Sequence, residues 1–165
     1  MISTVSTLKD IDTYLHHWSK THPQKLAIAD SQQRLTWQAL DSKLNQVAHG
    51  LIQSGLMPNQ RLAILGLNSV DYALLFLGGL RAGLCIVPLS PLASSESLAG
   101  MINDSEARLL FVSQAYADMV EPIADRLNTL LPNGLKNLDC DGDGRESFAA
   151  FIESASGEDV ALPIS

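Results

Sequence analysis

Cysteine and basic residues are scarce in this sequence, and each shortage excludes a class of protein. Two cysteines among 165 residues are too few for the disulfide framework that stabilises small secreted domains. Cys85 lies in an apolar run and Cys140 in a polar segment, so we predict reduced thiols and a cytoplasmic protein. Lysine and arginine number 11 against 18 aspartates and glutamates, which gives a formal net charge of −7. This charge argues against nucleic acid or anionic membrane as a partner, because both bind basic patches.

An uninterrupted hydrophobic run of membrane-spanning length is also missing. The most apolar stretch, Tyr72 to Ala93, contains Arg81 and is punctuated by three glycines and two prolines. A spanning helix needs about 20 consecutive apolar residues. We therefore predict a buried helix that is followed by a buried strand. The first 15 residues include acidic groups and no apolar segment, so no secretory signal is expected.

Charged residues of either sign are few for a chain of this length. They make up 18% of the sequence, whereas hydrophobic residues make up 46%. A soluble domain usually carries about 25% charged residues, and 165 residues correspond to about one domain. Either the domain is unusually buried or part of its surface is normally covered by something else. In the second case, we expect the chain to expose an apolar patch and to self-associate.

Helical and strand-like patterns alternate along most of the chain. Apolar spacing predicts a first helix over Leu8–Ser19, and the runs KLAIAD and QRLTW predict a hairpin. Thr36 is the predicted N-cap of a second helix, which ends at Gly55. Four strands are then predicted at 61–67, 84–89, 108–113 and 135–139. The predicted helices that alternate with them lie at 70–82, 96–103, 115–131 (with a break at Pro122) and 147–154.

This alternation predicts the fold class and the extent of the domain. We expect an α/β fold with a parallel-rich sheet, βαβ crossovers and helices on both faces, preceded by the N-terminal helix and the hairpin. Gly78 and Gly79 would allow a neighbouring backbone to approach their helix closely. Residues 1–154 are predicted to form one subdomain, and the polar, Pro-containing residues 155–165 a linker.

The segment DCDGDGRESFAA, residues 139–150, begins like an EF-hand calcium loop. Three aspartates alternate in it: Asp139, Asp141 and Asp143. The loop also has Gly144 at its turn position, but position 12, which must be a bidentate glutamate, is Ala150. Position 8 is Glu146 rather than an apolar residue, and a strand rather than a helix is predicted before the loop. We therefore interpret the segment as a polar turn, with Asp143 or Ser147 capping the next helix.

No residue is assigned a catalytic, cofactor-binding or metal-binding role. His16 and His17 are adjacent, so on a helix they point about 100° apart and cannot share a metal ion. His22 and His49 are isolated in the sequence and are interpreted as surface groups. Arg81 is expected to lay its stem along apolar surface or to cap the last carbonyls of its helix, rather than to bind an anion.

Four elements between about Tyr14 and Ser113 resemble the N-terminal part of the adenylate-forming superfamily. LTWQAL looks like the family's L-T-Y-x-E-L element, and LRAGLCIVPLSP looks like its L-K-A-G element. INDSEARLLFVS and HWSKTHPQKLAIAD resemble the flanking parts. Two positions depart from the pattern. Ala39 replaces a glutamate that can cap the following helix, a loss of about 1 kcal/mol, and Arg81 replaces a lysine.

The resemblance implies an ATP-dependent acid–thiol ligase that converts a carboxylate to an acyl-adenylate and then to a thioester, with fatty acids among the expected acids. It also implies ATP, Mg²⁺ and coenzyme A for the complete enzyme. No glycine-rich loop ending in lysine is present, and the nearest segment, DGDGRES, is acidic and would repel phosphate. We therefore expect an N-terminal fragment that binds none of these cofactors by itself and whose partner is the remainder of the same polypeptide.

Two other functions stay open from the sequence. The chain could be a naturally short, non-catalytic α/β protein that binds or scaffolds a partner. It could also come from the adenylation domain of a peptide synthetase. The segment VPLSPLASSESLAGM favours an acyl-CoA synthetase over the second, because it lacks an aspartate near Ser90 and a following Tyr-Pro pair.

Overall fold

The computed structural model describes residues 10–139, 144–153 and 155–160. Its first elements are helix α1 (Ile11–Thr21), strands β1 (Leu26–Ala29) and β2 (Arg34–Thr36), and helix α2 (Trp37–Gln53). The central part contains β3 (Arg61–Leu65), α3 (Val70–Arg81), β4 (Cys85–Pro88), α4 (Ser95–Asp104) and β5 (Ala107–Val112). After β5 come a 3-10 turn (Gln114–Tyr116), α5 (Ala117–Val120) and a 3-10 helix (Glu121–Arg126). Strand β6 (Leu135–Asn137) and helix α6 (Phe148–Glu153) complete the described elements.

A four-stranded parallel sheet organises the chain. Its strand order is β4-β3-β5-β6, and every neighbouring pair is parallel. Strands β1 and β2 form a separate antiparallel hairpin. The predicted fold class is therefore confirmed, including the hairpin that precedes the sheet.

Helices cover both faces of the sheet, because side chains alternate along its buried strands. On β3, Leu62 and Ile64 join the core that α2, α3 and α6 cover. The alternate residues Ala63 and Leu65 join a second core beneath α4 and the short helices after β5. Side chains of a strand point to opposite faces in turn, so a strand buried on both sides carries an uninterrupted apolar run, here LAIL after the exposed Arg61.

Helix α2 begins and ends at the residues that the sequence predicted. The Thr36 hydroxyl accepts a hydrogen bond from Ala39 N at 3.3 Å. Two further N–H groups of the first turn, those of Trp37 and Gln38, donate to backbone carbonyls of the segment before β1. The first turn is therefore stabilised although no glutamate stands at position 39. Gly55 follows the helix with φ +89°, the left-handed conformation that favours glycine at this place.

Two predicted helices have different bounds in the structure. The first helix starts at Ile11, after the N-cap Asp10, and Leu8 lies outside the described residues. The helix predicted over 115–131 is interrupted and ends at Arg126. Pro122 explains the interruption, since a proline cannot donate the helical hydrogen bond. Beyond Arg126 the backbone turns back to the sheet, and Leu131 N donates to Arg108 O at 2.8 Å.

The hairpin is attached to the start of α3 through Asp30. One carboxylate oxygen of Asp30 accepts the N–H of Val70 at 2.8 Å. The other accepts the N–H groups of Gln32 and Gln33 at 2.8 and 2.9 Å. The hydrogen bond from Val70, followed by those from Gln32 and Gln33, lowers the pKa of Asp30 below its usual value. The ionised carboxylate thus stabilises both the turn and the N-terminus of α3.

The apolar stretch Tyr72 to Ala93 contains most of α3 and all of β4, as the sequence predicted. Across the described ranges, no helix combines the length and the hydropathy that crossing a bilayer requires.

Gly78 tests how closely α2 and α3 are packed. A Cβ added at Gly78 would lie 2.5 Å from Val47 Cβ, so we expect Gly78→Ala to destabilise the fold by about 1–3 kcal/mol through overpacking. Gly100, exposed in the middle of α4, is the matched control, because a Cβ there would meet nothing within 4 Å. Gly100→Ala should stabilise the chain by about 0.5–1 kcal/mol. Urea unfolding followed by circular dichroism measures both changes, and equal effects at the two sites would contradict the packing described here.

Candidate functional site

The carboxyl edge of the parallel sheet is the first place to look for a ligand site. Connections leave β3 and β5 in opposite directions along the sheet, so the crevice between them is a topological switch point. In open α/β sheets, ligands bind outside the carboxyl ends of the strands at such a point. Gly66 and Leu67 follow β3 there, and Ser113 follows β5.

Side chains of the domain itself fill this switch point. A Cβ added at Gly66 would lie 2.5 Å from Leu138 Cδ2 and 2.9 Å from Tyr72 Cδ2. The Ser113 hydroxyl is buried and accepts the N–H of Leu67 at 3.1 Å. Burial raises the pKa of the Tyr72 phenol, which is therefore neutral at ordinary pH. The crevice is thus closed by neutral groups.

A carboxylate lies at the carboxyl end of the neighbouring strand β6. Asp139, which follows β6, accepts the N–H of Gln114 at 2.9 Å. A carboxylate at this position would repel the phosphates of a nucleotide. The described residues therefore do not offer a set that fits ATP with its magnesium ion at the carboxyl edge.

A buried polar cluster between α1, α2 and α3 is the second candidate. Arg81 at the end of α3 is 6% exposed, and its guanidinium donates to three residues of the other two helices. Nε donates to Asp12 at 2.6 Å, and Nη2 donates to the Asp41 carboxylate at 2.7 Å. Nη1 donates to the Asp41 carbonyl at 2.9 Å and to Asn45 Oδ1 at 2.8 Å. Four hydrogen bonds thus compensate for the burial of this charge.

This arrangement corrects the expectation for Arg81. Its guanidinium neither reaches solvent nor caps the carbonyls of α3, but joins three helices through a buried ion-pair network. The reason is that Asp12 and Asp41 lie opposite it on α1 and α2. Asp12, Asp41 and Asn45 were not singled out from the sequence. The signal that could have found them is the lone arginine in an apolar helix, which requires buried carboxylates nearby.

A cavity of about 310 Å³ borders the cluster on its solvent side, between Arg81 and the segment at 159–160. His16, Asp41 and Asp159 each place one possible metal-ligating atom within 4.8 Å of the others. However, the two carboxylate oxygens of Asp41 already accept from Arg81 Nη2 and from Ser19 Oγ. His16 Nδ1 lies 3.2 Å from the same carboxylate. A bound cation would have to compete with the guanidinium, so we interpret the cluster as a structural support.

The segment that follows α6 is held against α2 beside this cavity. Asn45 Nδ2 donates to Gly157 O and to the Asp159 carboxylate, both at 3.2 Å. His49 Nε2 lies 3.0 Å from the Glu158 carbonyl oxygen. These contacts hold residues 157–159 against α2.

The other residues considered from the sequence lie apart from these two places. The ring of His22 lies against that of Trp18 in a tilted arrangement, with 4.5 Å between centroids, and Cys85 is exposed on the edge strand β4. Cys140, Asp141 and Asp143 of the calcium-like segment lie outside the described residues. Glu146 forms an ion pair with Lys136. Ser147 caps α6 by accepting the N–H of Ala150 at 3.3 Å, which confirms one of its two predicted caps.

Comparisons with known proteins assign nearly the whole chain to one family. Residues 15–160 match the family described as AMP-binding enzyme. A fatty acid–[acyl-carrier-protein] ligase from Streptomyces coeruleorubidus is 30% identical over 132 residues, which are 80% of this chain and 24% of that protein. Gramicidin S synthase 2 from Brevibacillus brevis is 30% identical over 118 residues, which are 72% of this chain and 3% of that protein.

Solved structures share the fold. An anthranilate CoA ligase bound to anthranoyl-AMP superimposes with a TM-score of 0.84 at 20% identity, over 92% of this chain and 29% of that chain. The N-terminal domain of FACL13 from Mycobacterium tuberculosis superimposes with a TM-score of 0.83 at 22% identity, over 94% of this chain and 38% of that chain. The chain therefore spans well under half the length of each of these relatives.

Replacing Arg81 tests the support that the cluster gives to the fold. Arg81→Met keeps the apolar stem but leaves the Asp41 carboxylate buried without its cation, so we expect a loss of about 3–5 kcal/mol in the free energy of unfolding. Arg126→Met is the control, because Arg126 makes a comparable two-bond pair with Glu96 on the surface, and its loss should be much smaller. Urea unfolding of the two variants measures both losses. Similar unfolding midpoints would show that the buried network of Arg81 contributes no more to stability than the surface pair of Arg126.

Proposed function

Since the chain belongs to the AMP-binding enzyme family, we propose that it is the N-terminal part of an ATP-dependent ligase that activates a carboxylic acid. The observation that carries the proposal is the family match over residues 15–160, on a fold that superimposes on the anthranilate CoA ligase with a TM-score of 0.84. In the complete enzyme, the carboxylate would attack ATP to give an acyl-adenylate and pyrophosphate. A thiol would then displace AMP and form a thioester.

The described residues support a scaffolding rather than a catalytic contribution of this part. The switch point is closed by Leu138, Tyr72 and Ser113, and the adjacent carboxylate of Asp139 disfavours phosphate. No glycine-rich loop ending in lysine occurs in the sequence. We propose that ATP, Mg²⁺ and coenzyme A bind elsewhere in the complete enzyme, and that the 165-residue chain alone is inactive.

The partner that we propose for this chain is the remainder of the same polypeptide. Residues 1–154 would form its N-terminal subdomain, and residues 155–165 would lead into the following region. Gly157, Glu158 and Asp159 still contact α2, so residues 155–160 pack on this subdomain, and the proposed linker begins only after them. At the carboxyl edge of the sheet, Leu92 is 95% exposed and Leu67 is 48% exposed. Both are candidates for burial under the next subdomain.

The thiol acceptor separates two candidates within the family. The sequence elements favour an acyl-CoA synthetase, in which coenzyme A accepts the acyl group. The resemblance to a fatty acid–[acyl-carrier-protein] ligase favours a carrier-protein acceptor instead, and the resemblance to gramicidin S synthase 2 favours a peptide synthetase. We propose the acyl-CoA synthetase first, and the adenylation domain of a peptide synthetase as the second candidate.

Assay of the complete reading frame tests the proposed reaction. The protein translated from the full source gene should exchange radiolabelled pyrophosphate into ATP when a carboxylic acid is supplied, and the 165-residue chain should not. A panel of fatty, aromatic and amino acids identifies the substrate class, and product formation with coenzyme A or with a phosphopantetheinylated carrier identifies the acceptor. Exchange by the 165-residue chain would contradict its proposed inactivity. A gene that encodes no region beyond Ser165 would leave the non-catalytic binding protein as the function.

The covered surface has its own test in the isolated chain. If the carboxyl edge is normally buried, the 165-residue chain should self-associate through it, and Leu92→Asp should lower the weight-average mass measured by light scattering over a concentration series. Met57→Asp is the matched control, since Met57 is 65% exposed but precedes β3 at the opposite edge of the sheet. A monomer at every concentration would contradict the proposed surface.

A further inference from the structure

Two arginines meet at the amino edge of the sheet, outside the two candidate sites described above. Arg61 begins β3, and Arg108 is the second residue of the neighbouring strand β5. Both line a cavity of about 380 Å³. The other lining residues are Gln60, Glu106, Asn128 and Thr129.

The backbone is irregular at the point where Arg108 enters this cavity. Arg61 is paired with Ala107, whereas the next residue, Leu62, is paired with Leu109. Arg108 is therefore the extra residue of a β-bulge, a feature that redirects a side chain and is often found beside binding sites. Glu106, two residues before Arg108, has φ +55°, a left-handed conformation that is unfavourable for glutamate.

Polar groups around the cavity have unused hydrogen-bonding capacity. Arg108 Nη1 donates to the Thr129 carbonyl at 2.9 Å. In the part of the chain that the structure describes, Arg108 Nε and Thr129 Oγ1 are buried and have no hydrogen-bond partner. Arg61 Nη1 lies 3.6 Å from the exposed Glu106 carboxylate, which is longer than a charge-assisted hydrogen bond. Unpaired buried polar atoms are costly unless a further group satisfies them. Neither atom is exposed to the cavity as it stands, so a ligand there reaches them only when these side chains turn toward it.

We propose that this cavity binds an oxyanion of the phosphate type between Arg61 and Arg108. Two guanidiniums against one carboxylate leave a net positive charge, so an anion is attracted and a cation repelled. A tetrahedral oxyanion can accept hydrogen bonds from several directions at once. This matches the donors around the cavity, which are the two arginines and the side-chain amides of Gln60 and Asn128. The Glu106 carboxylate competes with this anion for Arg61, so it weakens binding. The ligand is inorganic phosphate, pyrophosphate or the phosphate group of a larger molecule.

Calorimetric titration of the 165-residue chain with inorganic phosphate, at constant ionic strength in chloride, tests the site. Arg61→Gln, a half-exposed position, should raise the Kd about tenfold through the loss of one charge-assisted contact. Glu106→Gln should lower the Kd several-fold, because it removes the competing charge. That gain cannot come from misfolding. Arg126→Gln, which removes an arginine that pairs with Glu96 and does not line the cavity, should leave the Kd unchanged.

The same titration distinguishes the source of the anion. Pyrophosphate binding more tightly than phosphate would indicate a free polyphosphate, and an adenine nucleotide binding more tightly than both would indicate a phosphate carried by a larger ligand. The proposal is overturned if phosphate gives no heat up to tens of millimolar, or if Arg61→Gln and Glu106→Gln leave the Kd unchanged. It is equally overturned if Arg126→Gln weakens binding as much as Arg61→Gln does.

Discussion

The packing of α2 against α3 is the contact on which the rest of the domain depends. Gly78 lets the α3 backbone approach Val47 closely, and one turn later Arg81 crosses the same interface to reach Asp12 and Asp41. The two features require each other. A wider spacing would leave Arg81 short of its carboxylates, and a buried guanidinium without them would cost several kcal/mol. Because α3 also covers β3 and β4, the spacing of the two helices fixes where one face of the sheet lies. The N-terminal helix is then attached through Asp12, and the hairpin is attached to α3 through Asp30.

Local patterns were sufficient to predict most elements of the fold. Strand β3 could be recognised because a strand buried on both faces carries an uninterrupted apolar run, and α2 because Thr36 and Gly55 mark its ends. The prediction of a helix over 115–131 was wrong beyond Arg126, and the reason is physical. The apolar residues of this segment retain helical spacing, yet the backbone is needed as a partner for Arg108 O beside the sheet. That competing contact joins residues more than 20 positions apart, and no local pattern encodes it.

The polar clusters could not be predicted for the same reason. Arg81 pairs with Asp41, which is 40 positions away in the sequence, and with Asp12, which is 69 positions away. The sequence itself shows only that an arginine interrupts an apolar helix. Arg61 and Arg108 are brought together by the register of β3 and β5, and Arg108 faces the cavity because of a bulge between them. Hydrophobic periodicity reports which face of an element is buried. It does not report which polar groups meet there, since that depends on strand order and on register.

The surface is even poorer in charge than the composition suggests. Arg81, Asp41 and Lys136 are all buried, so they hold elements together and do not solvate the surface. At the carboxyl edge of the sheet, Leu67 and Leu92 occupy exposed positions where a free-standing domain would carry polar side chains. The amino edge differs, since Arg61 and Glu106 are both accessible there and the cavity between them opens to solvent. The two edges of one sheet thus meet different surroundings: the carboxyl edge suits burial under another part of the same protein, and the amino edge suits a small anion from solution.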